Sequence, residues 1–238
     1  MNPNKIFPIL CQDDFFDNPD EIREYALSLD YKSDENGHWP GVRTRPLHEI
    51  NPKLSTEVLV KVFSNYFDFD TSCAVNWKES NVCFQKVKPY NKNLKSAENK
   101  GWIHSDSASF AGLIYLTPEA NMISGTSLYD LKKDYKDIDT QKFKDNIKEL
   151  CKFYKGEEYD SVKLNEDYND LEKHFDKSVE IKNVYNRMIS YDGNNWHSAG
   201  DFVDEERLTL VFFVDNILST LGPYQRSAKH DLKIRSMI

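Results

Sequence analysis

The 238-residue sequence lacks a long apolar run, because no stretch approaches the roughly 20 residues that a helix needs to span a bilayer. Its first residues, MNPNKIFPILCQDDFF, contain an apolar part too short for a secretory signal and turn acidic at once. Internal repeats and low-complexity linkers are absent as well. We therefore expect a single domain over residues 1–238, located in the cytoplasm and without a membrane partner.

Cysteine is scarce and irregularly placed. The four cysteines, Cys11, Cys73, Cys83 and Cys151, form no CxxC pair and no regular framework. This pattern indicates reduced thiols, mostly buried, rather than a disulfide scaffold or a cysteine-based metal site. Cys73 and Cys83 could face each other across a hairpin, but the cytoplasmic setting disfavours a disulfide between them.

An excess of positive charge is also missing. The 39 acidic residues outnumber the 31 basic ones, which gives a formal net charge of −8. An acidic surface repels phosphate backbones, so nucleic acid is disfavoured as a partner, although a local basic groove is compatible with this balance. With 39% hydrophobic and 29% charged residues, the composition is typical of a globular protein.

Helical signals dominate residues 1–70, which we expect to support the rest of the fold. In DNPDEIREYALSLDY, Asn18 is placed to cap a helix, Pro19 suits its first turn, and Glu21 completes a capping-box pattern. A second helix is predicted from Leu54 to Tyr66.

An irregular stretch, GHWPGVRTRPLHEI, separates these two helices. One interpretation is a well-packed loop, since the stretch combines Trp, Pro and Gly with charged residues. The other is a rim that contacts a substrate through Arg43 or Arg45.

Strand signals begin near Thr71 and continue in two blocks, residues 71–130 and 178–216. The segments are TSCAVNWKES, NVCFQKVKPY, WIHSD, SFAGLIYLT, GTSLYD, SVEIKNV, YNRMISYDG and ERLTLVFFVDN. Short β segments joined by turn residues favour a sandwich or barrel over a parallel α/β sheet.

Residues 131–177 interrupt this β pattern and are rich in lysine and acidic residues. Within IDTQKFKDNIKELCKFYKG we predict a helix that Asp139 caps, with Ile138 and Phe143 as a hydrophobic staple and Gly156 at its end. Its apolar stripe consists of Phe143, Ile147, Leu150, Cys151 and Tyr154. We interpret the segment as a helical insertion that covers a site, and residues 217–238 as a solvated C-terminal tail.

The short motif His104-Ser105-Asp106 precedes an apolar strand. On a strand, residues two apart point to the same face, so His104 and Asp106 could bind one metal ion; the alternative is a polar turn. A pair of this kind is expected by chance in a sequence with six histidines and 39 acidic residues. A second case, His174 and Asp176, lies in a charged helical stretch and is interpreted as surface.

Other polar residues distinguish the first pair from the second. His197, in YDGNNWHSAGDF, is a third candidate ligand at the start of a late strand. Alternation in RLTLVFFV sends Arg207 and Thr209 to one face, and Tyr115 lies in the strand after His104. Such a polar cluster inside a β fold is costly unless it binds something.

The donor set indicates a particular chemistry. Two histidines and one carboxylate leave open positions on an octahedral ion, which suits iron(II) that must also hold a substrate and oxygen. An arginine deeper in the same cavity suits a bidentate grip on a carboxylate, and its natural guest is a dicarboxylate that also reaches the metal.

At this point the sequence resembles the iron(II)- and 2-oxoglutarate-dependent oxygenases, in particular their prolyl-hydroxylase-like branch. The likeness covers about residues 81–215 without the insertion and consists of HSD, LIYLT, SGTSLY, NNWHSAG and RLTLVFF. It implies a mainly β fold with flanking helices, a double-stranded β-helix of the jelly-roll, cupin-like kind. It also implies Fe(II), 2-oxoglutarate and O2 as metal, co-substrate and oxidant.

The resemblance also implies residue roles. His104, Asp106 and His197 would bind iron, while Arg207, with Tyr115 and Thr209, would hold the far carboxylate of 2-oxoglutarate. No further catalytic residue is implied. The expected activity is a dioxygenase that hydroxylates a C–H bond of a peptide side chain or small molecule and releases succinate and CO2.

Two details bear on that activity. Related halogenases lack the carboxylate ligand, so the presence of Asp106 favours hydroxylation. Ser124 stands where the family often has a second glycine, and Gln85 is a guess for a partner of the near carboxylate of 2-oxoglutarate.

Two other functions are compatible with the sequence. One is a non-catalytic jelly-roll protein that binds a metal or a dicarboxylate, as a sensor or an inactive homologue. The other is a zinc hydrolase, whose activity would need neither O2 nor 2-oxoglutarate.

Overall fold

The computed structural model describes residues 6–69, 74–133, 147–203, 206–220 and 222–224. Its secondary structure is mainly antiparallel β, with few helices, which confirms the predicted fold class. None of the helices in these ranges is both long and apolar enough to cross a membrane.

A seven-stranded antiparallel sheet forms the larger layer. In chain order its strands are β1 (Leu10–Gln12), β2 (Lys32–Ser33), β3 (Val42–Arg43), β5 (Glu79–Val87), β6 (Phe110–Tyr115), β9 (Met188–Asp192) and β11 (Arg207–Asp215). Their order in space is β1-β9-β6-β11-β5-β3-β2. β11 therefore lies in the middle of the sheet, between β6 and β5.

The smaller layer is a three-stranded antiparallel sheet of β7 (Thr126–Leu131), β8 (Phe175–Ile181) and β10 (Trp196–Ala199), in the order β10-β7-β8. A third pairing joins β4 (Val75–Asn76) to β12 (Leu218–Ser219). The first two sheets face each other, and apolar side chains such as Leu113, Val211 and Leu128 fill part of the space between them.

The side chains of the larger sheet alternate between two environments. Phe84, Phe110 and Phe212 belong to the outer core, which the N-terminal helices cover. Their neighbours Cys83, Ala111 and Val211 point to the inner side, toward the smaller sheet. Because successive side chains on a strand point to opposite faces, one stretch of sequence builds both the main core and the wall of the inner space.

Three helices of the N-terminal part, one of them a single turn, cover the outer face. α1 (Pro19–Leu27) begins after Asn18, whose side chain binds the Glu21 carboxylate instead of capping a backbone N–H. α2 (Leu47–Ile50) is a single turn, and α3 (Pro52–Ser64) is capped by Asn51, whose Oδ1 accepts from the Leu54 N–H at 3.1 Å. α3 thus begins two residues earlier than the sequence predicted, because Asn51 supplies the cap.

The same part of the chain also contributes three strands that the sequence did not indicate. β1, β2 and β3 are two or three residues long and lie at the edges of the larger sheet. Strands this short contain too few residues to show an alternating pattern.

Within the insertion, the described residues contain α4 (Lys148–Lys155) and α5 (Ser161–Glu172). α4 ends at Gly156, which has a positive φ of 75°, as the sequence predicted. The predicted cap Asp139 and staple residues Ile138 and Phe143 lie outside the described residues.

The described cysteines are free thiols. Cys83 is buried, Cys151 is half-buried and Cys11 is exposed, so the expectation of mostly buried thiols is wrong for Cys11. Cys73 and the basic end of the tail lie outside the described residues.

Candidate functional site

His104 and His197 are joined by their backbones. The His104 N–H donates to the His197 carbonyl at 2.9 Å, and the His197 N–H donates to the His104 carbonyl at 2.8 Å. The Asp106 N–H donates to the Gly193 carbonyl at 2.9 Å. The predicted strand WIHSD is therefore an isolated bridge at His104, and pairing with a distant segment brings the three residues together.

The three side chains converge on one point. His104 Nε2 lies 3.8 Å from Asp106 Oδ1, and His197 Nε2 lies 3.5 Å from Asp106 Oδ2. One ligand atom from each residue lies within 4.8 Å of the other two. His174 and Asp176, the comparison pair, are not part of this cluster.

Backbone carbonyls determine the tautomer of both rings. His104 Nδ1 contacts the Trp102 carbonyl at 2.8 Å, and His197 Nδ1 contacts the Asn195 carbonyl at 2.9 Å. Because a carbonyl oxygen accepts hydrogen bonds and cannot donate them, each Nδ1 must carry the proton. Each Nε2 then has a free lone pair directed at the cluster, which is the form that binds a metal ion.

Burial keeps the imidazole ring of His197 neutral. Loss of solvation, with the His104 ring as the second cause, lowers the pKa of His197 to about 4. The imidazole is therefore uncharged at neutral pH. The His104 side chain is more exposed, with 47% of its surface accessible.

The carboxylate of Asp106 gives the clearest sign that this site suits a cation. Its Oδ2 is buried and has no hydrogen-bond partner among the described residues. A neutral His197 with its proton on Nδ1 cannot donate to this oxygen. Burying an unpartnered carboxylate oxygen costs free energy that a metal ion would offset. The donor set and this orphaned oxygen fit a divalent ion bound by His104, Asp106 and His197.

The three residues lie in a cavity of about 550 Å³. Its wall combines both sheets with residues 37–40 and with Leu150, Cys151 and Tyr154 of α4. α4, which belongs to the segment 131–177, therefore forms one side of the cavity.

A row of polar residues crosses the inner face of the larger sheet. Strand pairing sets Arg43 of β3 opposite Gln85 of β5, Gln85 opposite Thr209 of β11, and Thr209 opposite Tyr115 of β6. We call these four residues the polar row. Arg207 lies two residues before Thr209 and shares its face.

Arg207 lines the cavity and is buried. Its Nε donates to the Ser124 carbonyl at 2.9 Å, and its guanidinium carbon lies 5.4 Å from the centre of the Tyr115 ring. Among the described residues no carboxylate lies within ion-pair distance of it. Burial lowers the pKa of Arg207.

Tyr115 and Thr209 are fully buried beside Arg207. Tyr115 Oη donates to Thr126 Oγ1 at 2.8 Å, and burial raises the pKa of Tyr115. Thr209 Oγ1 has no hydrogen-bond partner among the described residues. An unsatisfied buried hydroxyl next to an unpaired arginine is an arrangement that fits a carboxylate.

The structure separates the two arginines of the irregular stretch. Arg45 is exposed and pairs with Glu49 at 2.8 Å, whereas Arg43 lines the cavity. Gln85 also lines it, with its Nε2 donating to the Pro40 carbonyl at 2.8 Å. Sequence reasoning missed Tyr191, whose ring packs 4.8 Å from that of His197, because nothing in YNRMISYDG marks one tyrosine over another.

Comparison with solved structures shows which proteins share this fold. HygX from Streptomyces hygroscopicus, solved with nickel, 2-oxoglutarate and hygromycin B bound, has a TM-score of 0.52 at 9% identity, over 94% of this chain and 90% of that one. A Pseudomonas putida prolyl-4-hydroxylase has a TM-score of 0.45 at 8% identity, over 88% and 94%. A Trichoplax adhaerens prolyl hydroxylase has a TM-score of 0.46 at 10% identity, over 87% of this chain and 83% of that one.

The similarity to HygX shows a shared fold, and it supports the double-stranded β-helix that the sequence analysis expected. No curated protein sequence matches the chain. A family model does match, over residues 3–210, and these residues include the three clustered side chains, Arg43 and Arg207. The chain therefore belongs to the family of unknown function (DUF6445).

Proposed function

We propose that this protein is an iron(II)- and 2-oxoglutarate-dependent dioxygenase that hydroxylates a C–H bond of a peptide side chain or a small molecule. One observation carries the proposal: the free Nε2 atoms of His104 and His197 converge with an unpartnered buried oxygen of Asp106. Support also comes from HygX, a protein of the same fold that was solved with a metal and 2-oxoglutarate bound.

In this proposal His104, Asp106 and His197 hold the ferrous ion. Bound iron, together with 2-oxoglutarate and O2, supplies the oxidising chemistry that hydroxylates the substrate and releases succinate and CO2. Three protein ligands leave positions free for these molecules. The hydrogen bonds from Nδ1 to the Trp102 and Asn195 carbonyls keep both rings oriented when the ligands change.

Arg207, Thr209 and Tyr115 hold the far carboxylate of 2-oxoglutarate in this scheme. Arg207 is already oriented by its hydrogen bond to Ser124, so little side-chain entropy is lost on binding. The free Thr209 hydroxyl donates to the same carboxylate. Because Arg207, Thr209 and Tyr115 are buried, water is excluded and the charge-assisted contacts to the carboxylate are strengthened.

Spectroscopy and product analysis test the proposal together. Anaerobic addition of iron(II) and then 2-oxoglutarate should give a weak visible charge-transfer band, and O2 should then produce succinate. We expect His104→Ala to abolish both signals. His174→Ala is the matched control, because His174 has the same spacing to an aspartate but lies outside the cluster.

The possible outcomes distinguish the candidate functions. Absence of the band in the wild-type protein contradicts the proposal. A band without succinate, across a panel of peptides and small molecules, indicates the non-catalytic sensor instead. Hydrolytic activity that survives without O2 and 2-oxoglutarate indicates a zinc enzyme.

A further inference from the structure

A second arginine, half-buried, lies in the cavity of the proposed iron site. Arg43 belongs to the polar row and lines the cavity together with Gln85 and Asp106. Its Nη2 donates to Gln85 Oε1 over 3.4 Å, which is a long hydrogen bond. Its Nε is buried and has no hydrogen-bond partner among the described residues.

Two aromatic rings cover the Arg43 guanidinium. Its central carbon lies 4.4 Å from the centre of the Trp39 ring and 5.4 Å from that of Phe213. The indole N–H of Trp39 is also buried without a described partner, so two residues in contact in the cavity wall each have an unsatisfied donor. Contact with the rings orients the cation but does not neutralise it.

No acidic group is available to neutralise Arg43. Within the described ranges no carboxylate lies at ion-pair distance from it. Asp106 and Asp34 act on it at longer range, but Asp106 belongs to the metal cluster and Asp34 accepts the His38 N–H at 2.6 Å. Burial lowers the pKa of Arg43, as expected for a cation without a close partner.

We propose that Arg43, with the Trp39 N–H, binds a carboxylate of the substrate, so that the substrate of this enzyme is a carboxylic acid. The inference rests on the proposed function, because Arg207 is then occupied by 2-oxoglutarate. β5 separates the strands of the two arginines, which provides separate places for two anions in one cavity.

The surroundings of Arg43 favour a carboxylate over a phosphate. A guanidinium held between two rings presents a planar edge, which matches a planar carboxylate. The described residues that line the cavity include no lysine, and Arg207 is assigned to 2-oxoglutarate, so no second permanent cation remains for a phosphate.

The test uses the full chain loaded with nickel(II), which does not support turnover, and saturated with 2-oxoglutarate. Calorimetry then measures the binding of benzoate and hexanoate, of their neutral counterparts benzamide and hexanamide, and of inorganic phosphate. We expect the two carboxylates to bind about tenfold or more tightly than the matching amides, because the charge-assisted contact to Arg43 is lost with the amide.

Two variants assign this difference to Arg43. Arg43→Gln removes the charge, and Arg43→Met also keeps the packing between Trp39 and Phe213. Both should weaken carboxylate binding about tenfold or more and leave the affinity for 2-oxoglutarate unchanged within about twofold. Arg45→Gln is the matched control, since Arg45 is two residues away, exposed and paired with Glu49.

Several results would overturn the inference. One is equal binding of carboxylates and amides by the wild-type protein, a comparison that needs no variant to fold. Others are tighter binding of phosphate than of either carboxylate, and unchanged carboxylate binding by both Arg43 variants. Loss of 2-oxoglutarate binding in those variants would make Arg43 the co-substrate anchor instead. Failure of the wild type to bind 2-oxoglutarate would contradict the proposed function itself.

Discussion

At the scale of residues, three buried polar atoms of the proposed site have no hydrogen-bond partner among the described residues. They are Asp106 Oδ2, Thr209 Oγ1 and Arg43 Nε. The unfolded chain hydrates such atoms, so each one reduces stability unless a ligand satisfies it. These atoms therefore lower the free energy of unfolding of the ligand-free protein at the places where the proposed metal, 2-oxoglutarate and substrate would bind.

Thr209→Val tests this view with a nearly isosteric change. The variant loses no hydrogen bond to a described residue, so we expect its free energy of unfolding without ligand to rise by about 1 kcal/mol. Its affinity for 2-oxoglutarate should fall about fivefold to tenfold, the net worth of one hydrogen bond. Chemical denaturation and calorimetry measure the two effects.

A ligand-binding role for the Thr209 hydroxyl thus predicts that stability rises while the affinity for 2-oxoglutarate falls. A structural role for the hydroxyl predicts instead that stability falls and that affinity for 2-oxoglutarate is unchanged. Thr117→Val is a useful comparison, because the Thr117 hydroxyl accepts the Leu208 N–H at 2.7 Å and its loss should destabilise the protein.

At the scale of elements, α4 of the insertion and residues 37–40 form one wall of the cavity. Gly37, with a φ of 68°, lies so close to α4 that an added Cβ would be 2.2 Å from the Cys151 carbonyl oxygen. A side chain there would push the loop and α4 apart. The loop also contains Trp39, so its position affects the aromatic cover of Arg43.

Comparison of Gly37→Ala with Gly156→Ala measures this contact. Both glycines have a positive φ, but an added Cβ at Gly156 meets nothing within 4 Å. We expect Gly156→Ala to lower the free energy of unfolding by about 1–2 kcal/mol through backbone strain alone. Gly37→Ala should cost about 1–3 kcal/mol more, since packing against α4 is also lost.

Urea denaturation of both variants measures the difference between their free energies of unfolding. Equal losses of stability would show that the loop does not depend on its contact with α4. Trp fluorescence of Gly37→Ala reports the environment of Trp39 in the same samples.

The strands differ in how far the sequence specifies them. β6 and β11 are found where apolar and polar patterns predicted them, because both faces of a central strand are constrained by packing. β1 to β3 were missed, although β3 carries Arg43. A strand of two residues such as β3 is specified by pairing with β5 and β2 and not by its own residues.

At the scale of the whole molecule, the proposed ligands join the two sheets. His197 lies on β10 of the smaller sheet, while His104 and Asp106 precede β6 of the larger one. A metal ion bound by all three would link the layers and stabilise the folded state, since the unfolded chain does not preserve this site. We further propose that residues 1–238 form one domain, with 131–177 as an insertion.

Metal binding should therefore raise the thermal stability of the entire domain. With free nickel(II) at about a hundred times its dissociation constant, the gain is about 2.7 kcal/mol, which corresponds to a rise in Tm of roughly 5–10 °C for a chain of this size. Calorimetric scans with and without a chelator measure the shift. Asp106→Ala should lose it, and His174→Ala should retain it; a shift that persists in Asp106→Ala would place the metal elsewhere.

Local pattern in the sequence indicated a sandwich or barrel of short strands and the residue types that could bind a metal and a diacid, whereas the double-stranded β-helix was implied by the resemblance to a known family. Pattern alone indicated this much because alternation along a strand and the chemistry of His, Asp and Arg are properties of short segments. Tertiary structure decided what depends on distant partners: that His104 pairs with His197, that Arg43 and not Arg45 enters the cavity, and that α4 forms its wall. Register between strands far apart in sequence makes these choices, and no single segment contains that information.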